Sequence, residues 1–141
     1  DGRFKDLFQQ IYEEEFKLVK GFEWSSDSRK IAYYSFDESH VKEFSMDKFN
    51  GNLYPTQEVF KYPKAGEANS TVSIFLYNLT DKEKTLIYTE KDYEYIPRIK
   101  WANDPNTLTM IGLNRHQNKL DFIVVNSEDG SNKILFTEDD Y

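Results

Sequence analysis

The sequence predicts an all-β chain built from two copies of a four-stranded unit, the first copy interrupted by an insertion. Three observations predict it. Large rings are abundant, with 10 Tyr, 11 Phe and 2 Trp in 141 residues, and they alternate with polar residues over short distances, as half-buried strands require. The segment FEWSSDSRKIAYY (22–34) aligns with IKWANDPNTLTMI (99–111) at an offset of 77, placing Trp24 on Trp101, Asp27 on Asp104 and Ile31 on Leu108. Further along, IFLYNLTDKEKTLIY (74–88) aligns with FIVVNSEDGSNKILF (122–136) at an offset of 48, placing Asn78 on Asn126 and Leu86 on Ile134.

Taken in order, residues 1–21 form an N-terminal segment of different character. Phe4, Leu7, Phe8, Ile11, Tyr12 and Phe16 recur at helical intervals, which predicts a short helix carrying Glu13, Glu14 and Glu15 and ending by Gly21. Residues 22–90 form the first unit. It opens with a strand ending at Trp24, a turn rich in Ser and Asp, and a second strand. The offset then falls from 77 to 48, so 77 − 48 = 29 extra residues lie within about 36–70. Turn signals at Asn50-Gly51, Tyr54-Pro55 and Pro63 to Gly66, with alternating stretches such as EVFKY, predict a projecting two-stranded arm rather than an irregular loop. Residues 91–141 form the second unit, with Asp129-Gly130 as its turn. A four-stranded repeat of about 48 residues is the size of one β-propeller blade, and a ring needs about four to eight blades, so two units are expected to be part of something larger. The competing fold is a small β-sandwich of about 8–10 strands.

Composition removes several function classes. A net charge of −7 and a pI near 4.9, with no basic stripe, argue against nucleic acid. The absence of cysteine removes disulfides, thiolate metal sites and a thiol nucleophile. His40 and His116 are too far apart in sequence for an H-x-x-x-H zinc pair, and no cofactor or metal site is read. No apolar run approaches the roughly 20 residues of a membrane helix. No leader peptide is evident, and a start at Asp1 suggests a trimmed chain.

The segments YEEEF (12–16), WSSDSRKIAYYSFDES (24–39), YPKAGEANSTV (62–72), IKWANDP (99–105) and NRHQN (114–118) carry a resemblance. In this order and spacing the chain resembles the N-terminal β-propeller region of dipeptidyl peptidase IV-like serine peptidases of the prolyl oligopeptidase group, from Tyr12 onward. It looks closer to bacterial members than to animal ones, whose propellers usually carry cysteines. The resemblance implies that two adjacent glutamates bind the free α-ammonium of a peptide substrate, and the matching positions are Glu14 and Glu15. An ammonium offers three N–H donors and one positive charge, which two carboxylates in a partly desolvated cavity accept through charge-assisted bonds. Until the cation arrives the two like charges repel, which raises the pKa of at least one and favours a cationic ligand. Anchoring the amine fixes cleavage two residues in, after proline by family preference, and makes a serine mechanism an exopeptidase. Where members commonly carry Asp-Trp-Val before the glutamates, this chain has Gln9, Gln10 and Ile11.

The resemblance further implies a C-terminal α/β-hydrolase domain in the same polypeptide and a homodimer formed through the arm. No G-x-S-x-G nucleophile elbow occurs in these residues, so no catalytic residue is assigned and hydrolysis by this part alone is not expected. A periplasmic or cell-envelope location in a bacterium is the matching expectation. The rival readings are a non-catalytic propeller or a β-sandwich interaction module, in which Glu13 to Glu15 are a solvated charge run. His40 and His116 read as surface or network histidines, and Arg115, Gln117 and Asn118 as ties between loops. Tyr33, Tyr34 and Trp101 are expected between the two units. The arm aromatics Phe44, Phe49, Tyr54, Phe60 and Tyr62 suit either a partner surface or self-packing. Two Asn-x-Ser/Thr acceptor patterns, at Asn69 and Asn78, read as chance in a bacterial chain.

Overall fold

The computed structural model describes residues 16–18, 20–89 and 93–140. Ten strands run in order: β1 (Phe22–Trp24), β2 (Lys30–Asp37), β3 (Glu43–Lys48), β4 (Thr56–Lys61), β5 (Thr71–Asn78), β6 (Lys84–Thr89), β7 (Tyr95–Trp101), β8 (Thr107–Leu113), β9 (Lys119–Asn126) and β10 (Asn132–Asp139). Among the described residues there is no helix. Of the short helix expected to carry the glutamates and end by Gly21, residues 1–15 and 19 lie outside those described, and residues 16–18, 20 and 21 are not helical: Lys17 has φ 52°.

The strands form three antiparallel sheets, with orders β1-β2-β5-β6, β7-β8-β9-β10 and β3-β4. The first two are blades of an unclosed propeller. The first blade is a meander whose second and third strands are separated in sequence by the β3-β4 hairpin, at the position the offset change marks.

The sequence repeat is also a repeat of register. Trp24 lies opposite Ile31 and Trp101 opposite Leu108, both pairs related by 77. Tyr77 lies opposite Lys84 and Val125 opposite Asn132, both related by 48. The irregularity between β5 and β6, at Ile74/Phe75, recurs between β9 and β10, where Phe122 and Ile123 stand at the equivalent positions. Turn chemistry explains why the registers agree. The Asp27 carboxylate accepts the Arg29 amide at 3.1 Å, and the Asp104 carboxylate accepts the Asn106 amide at 3.1 Å, so each Asp closes the same turn three residues after its Trp. Asn78 accepts the Thr80 amide and Asn126 the Glu128 amide, while Asp81 and Asp129 accept the amides of Glu83 and Ser131. Amides of Leu79 and Ser127 then bond to the carbonyls of Arg29 and Asn106, tying the two turns of each blade together.

The core lies between the two blades. In the first blade Ala32, Tyr34, Val72, Ile74 and Leu76 are buried, all on one face by the two-residue period of a strand. In the second blade Ile99, Leu108, Met110, Ile123 and Val125 are buried, again on one face. Each fully buried aliphatic side chain contributes about 1.5–3 kcal/mol, so this apolar sandwich dominates the stability of residues 18–36 and 71–141. Tyr34 and Trp101 join it as expected, but Tyr33 does not. Its neighbour Tyr34 takes the inward position, and Tyr33 stacks on Phe75 on the outer face, with ring centroids 5.8 Å apart.

The inserted residues 37–70 are a separate unit containing the β3-β4 hairpin. Asn50 (φ 43°) and Gly51 (φ 79°) both occupy the left-handed region that a tight hairpin turn requires, and the Asn52 amide bonds to the Phe49 carbonyl across it. On the sheet Phe44, Phe60 and Tyr62 pack on one another at 5.8–6.1 Å. Thus part of the aromatic set self-packs, while Leu53 (85% exposed) and Tyr54 (79%) stand out from the hairpin end.

Candidate functional site

Glu14 and Glu15, the expected substrate anchor, lie outside the described residues. The description begins at Phe16, a half-buried turn residue, followed by Lys17 at φ 52° and the buried Leu18. The segment then enters the first blade, where the Gly21 carbonyl accepts the Tyr34 amide at 3.0 Å.

Three polar constellations hold the second blade; the second ties it to the first blade, and the first and third tie it to the segment before β7. The first constellation surrounds Asp121, a buried acid on the face of strand β9 that also carries the buried Ile123 and Val125. Its carboxylate accepts the Tyr93 hydroxyl at 2.7 Å and the Thr137 hydroxyl. Burial pushes the Asp121 carboxyl upward, but the bonds from Thr137 and Tyr93, with nearby Lys119, outweigh it and hold the group below the ordinary carboxylate range. Tyr93 is itself fixed, because its amide donates to the Tyr88 hydroxyl at 3.2 Å and its ring packs over Gly112. A Cβ at Gly112 would stand 2.5 Å from Cγ, the ring carbon bonded to the Tyr93 Cβ, so only glycine fits opposite Asp121. Sequence reasoning missed this cluster. The available signals were an Asp in the alternating run KLDFIVV and a Gly inside the strand TLTMIGL.

The second constellation crosses the blade interface. The Lys30 ammonium donates to Asn106 Oδ1 at 2.7 Å and to the hydroxyl of the buried Ser127 at 2.8 Å. The Trp101 indole N–H donates to the Glu23 carbonyl at 3.0 Å, and Lys100 pairs with the Glu23 carboxylate at 2.8 Å. The third is the NRHQN turn, in which Asn114 Oδ1 accepts the amides of Asn118 and Lys119, and Arg115 pairs with Glu94 at 3.0 Å. The expected tie between loops is therefore made by Arg115. His116 is exposed, and His40 Nε2 lies 2.7 Å from the Asn69 carbonyl within the inserted unit. No helix among the described residues is long and apolar enough to cross a membrane.

Paired four-stranded blades with this turn chemistry define a propeller region. Comparison with known proteins identifies which one: the family described as "Dipeptidyl peptidase IV (DPP IV) N-terminal region" matches residues 1–141, and the chain belongs to that family. It is 34% identical over 146 residues to the inactive dipeptidyl peptidase 10 of Rattus norvegicus, covering 96% of this chain and 18% of that protein. It is 33% identical over 128 residues to the venom dipeptidyl peptidase 4 of Vespa velutina, covering 82% of this chain and 16% of that protein. Among solved structures, Porphyromonas gingivalis dipeptidyl peptidase 4 superposes with a TM-score of 0.84 at 36% identity, over 93% of this chain and 19% of that one. The chain thus spans less than a fifth of the length of these relatives.

Proposed function

We propose that this chain is the non-catalytic propeller portion of a dipeptidyl peptidase IV-like exopeptidase that removes N-terminal dipeptides, Xaa-Pro by preference. Glu14 and Glu15 bind the substrate α-ammonium, and a serine nucleophile comes from an α/β-hydrolase domain elsewhere in a longer polypeptide. The observation that carries this reading is the family match over the whole chain, the Tyr-Glu-Glu-Glu-Phe run included. The hairpin of residues 37–70 supplies a homodimer contact, a reading supported by Leu53 and Tyr54, which are 85% and 79% exposed at its end. The matching location is the periplasm or cell envelope of a bacterium, supported by likeness to the Porphyromonas gingivalis protein.

The test is Glu14→Gln with Glu15→Gln in the longer polypeptide. A neutral amide cannot compensate the ammonium, so KM for an Xaa-Pro substrate rises and kcat/KM falls by orders of magnitude. Unchanged kinetics would remove the anchor. A second reading, a propeller serving protein interaction without hydrolysis, is favoured by one observation, the 34% identity to a relative named as inactive. Finding no peptidase activity in the longer polypeptide would select it.

A further inference from the structure

Asparagine followed by glycine is a reactive pair as well as a turn-forming one. The glycine amide nitrogen, with no side chain beside it, can reach the asparagine side-chain carbonyl carbon and close a five-membered ring. The chain has ten asparagines, and only Asn50 is followed by glycine. Whether the ring closes in a folded protein depends on whether both reacting groups are free to move. Asn50 and Gly51 are exposed, and neither the Asn50 side chain nor the Gly51 amide has a hydrogen-bond partner among the described residues. Nothing lies within 4 Å of the place a Cβ at Gly51 would occupy. The turn stands beyond the last ladder pair, Lys48 with Thr56, and is spanned by the bond from the Asn52 amide to the Phe49 carbonyl. Swinging the Gly51 amide toward the Asn50 side chain therefore sacrifices that bond and no strand pairing. Two pairs of similar chemistry are locked instead. At Asp129-Gly130 the carboxylate accepts the Ser131 amide at 2.8 Å, and the Gly130 amide donates to the Asn126 carbonyl at 2.9 Å. At Asn126-Ser127 the side chain accepts the Glu128 amide at 2.9 Å, and the Ser127 amide donates to the Asn106 carbonyl at 2.8 Å.

We infer that Asn50 is a site of spontaneous covalent modification, deamidating through a succinimide and remodelling the tip of the hairpin. The Gly51 amide gives its proton to hydroxide and its nitrogen bonds to the Asn50 side-chain carbonyl carbon. The bond from that carbon to the side-chain nitrogen breaks, and the nitrogen leaves as ammonia, taking a proton from water. Water then opens the ring at either carbonyl. Opening at the side-chain carbonyl gives aspartate, and opening at the main-chain carbonyl gives isoaspartate, in which the chain runs through the side-chain carbons. The balance is one water consumed and one ammonia released, with no change of oxidation state. Isoaspartate lengthens the main chain by a carbon and adds a negative charge, so the left-handed pair at φ 43° and 79° and its bond from Asn52 to Phe49 are lost. The reactants are neighbours in the chain, so the inference depends neither on the peptidase reading nor on a dimer contact at the hairpin.

The experiment is peptide mapping of the longer polypeptide, folded and aged at mildly alkaline pH in heavy-oxygen water, then digested with trypsin and followed by mass spectrometry. In the peptide FNGNLYPTQEVFK (49–61) the residue at 50 progressively loses its amide and takes up one heavy oxygen, while Asn52 and Asn126 keep theirs. Electron-transfer fragmentation assigns isoaspartate at 50, and the rate rises with hydroxide concentration. Asn50→Gln, whose longer side chain cannot close the five-membered ring, retains its amide over the same period. In urea, where the turn bonds are gone, conversion at Asn126 rises several-fold. A folded polypeptide that keeps the Asn50 amide overturns the inference. So does Asn126 converting as fast as Asn50 in the folded state, or a rate at Asn126 that urea leaves unchanged, since the local bonds would then decide nothing.

Discussion

Gly112→Ala separates a generic expectation from the geometry around Tyr93. Gly112 has no left-handed backbone to protect, so replacing it by Ala in a strand would ordinarily stabilise by about 0.4–1 kcal/mol through the unfolded chain. The new methyl, however, would lie 2.5 Å from Cγ and 2.7 Å from both Cδ atoms of Tyr93. That ring cannot move freely, being 9% exposed and tethered through its hydroxyl to Asp121 and through its amide to Tyr88. Overpacking of this kind costs about 1–3 kcal/mol, and weakening a hydrogen bond to a charged group costs about 1.5–3 kcal/mol more. After the unfolded-state gain, the expected net loss is about 1.5–5.5 kcal/mol, or a fall in Tm of roughly 5–20 °C. Urea and thermal unfolding followed by the fluorescence of Trp24 and Trp101 measure it. In a double-mutant cycle Tyr93→Leu absorbs most of the cost, since the clash and the tether are then gone together. A Gly112→Ala chain as stable as the parent, or costs that add with Tyr93→Leu, would refute the reasoning.

Asp121→Asn tests the same cluster by pH. The folded carboxyl titrates below its unfolded value, so its stabilisation is present above about pH 4 and fades as pH falls through the folded pKa. The stability gap between parent and variant should therefore narrow on acidification, and a gap constant with pH in urea titrations would contradict it. Lys30→Met keeps the aliphatic stem but strips Ser127 of its donor across the blade interface, which should lower stability by about 1–3 kcal/mol in urea unfolding. Gly51→Val forces a β-branched residue to φ 79°, and hydrogen exchange should show faster opening of β3 and β4 amides with β8 and β9 unaffected.

The blades were legible because their information is local and repeated. A Trp at the end of a strand, an Asp that closes the turn three residues later and an Asn-x-x-Asp turn fix register by short-range hydrogen bonds, so two alignments at offsets 77 and 48 placed eight strands. Asn50-Gly51 did the same for the hairpin. Tyr33 was misjudged because the run AYYSF carries aromatic rings on both faces, and only pairing with β1 and β5 decides which one is inward. The Tyr93, Asp121 and Thr137 cluster was not legible, since its members come from β9, β10 and the segment before β7 and meet only when the meander closes. The proposed anchor rests on a different kind of signal. Its glutamates carry no packing signature, and Glu14 and Glu15 stood out through the company of the blade motifs.

Recognition of the substrate amine is the centre of the account, and one comparison isolates it. In the longer polypeptide, kcat/KM is measured for an Xaa-Pro substrate with a free N-terminus and for its N-acetylated twin, in the parent and in Glu14→Gln/Glu15→Gln. Truncating one partner of a desolvated charge pair costs about 2–5 kcal/mol, so the parent should favour the free amine by about 30-fold to several thousand-fold, and the variant should lose nearly all of that preference. A variant that still discriminates as the parent does would place the amine on other residues and contradict the assignment of Glu14 and Glu15.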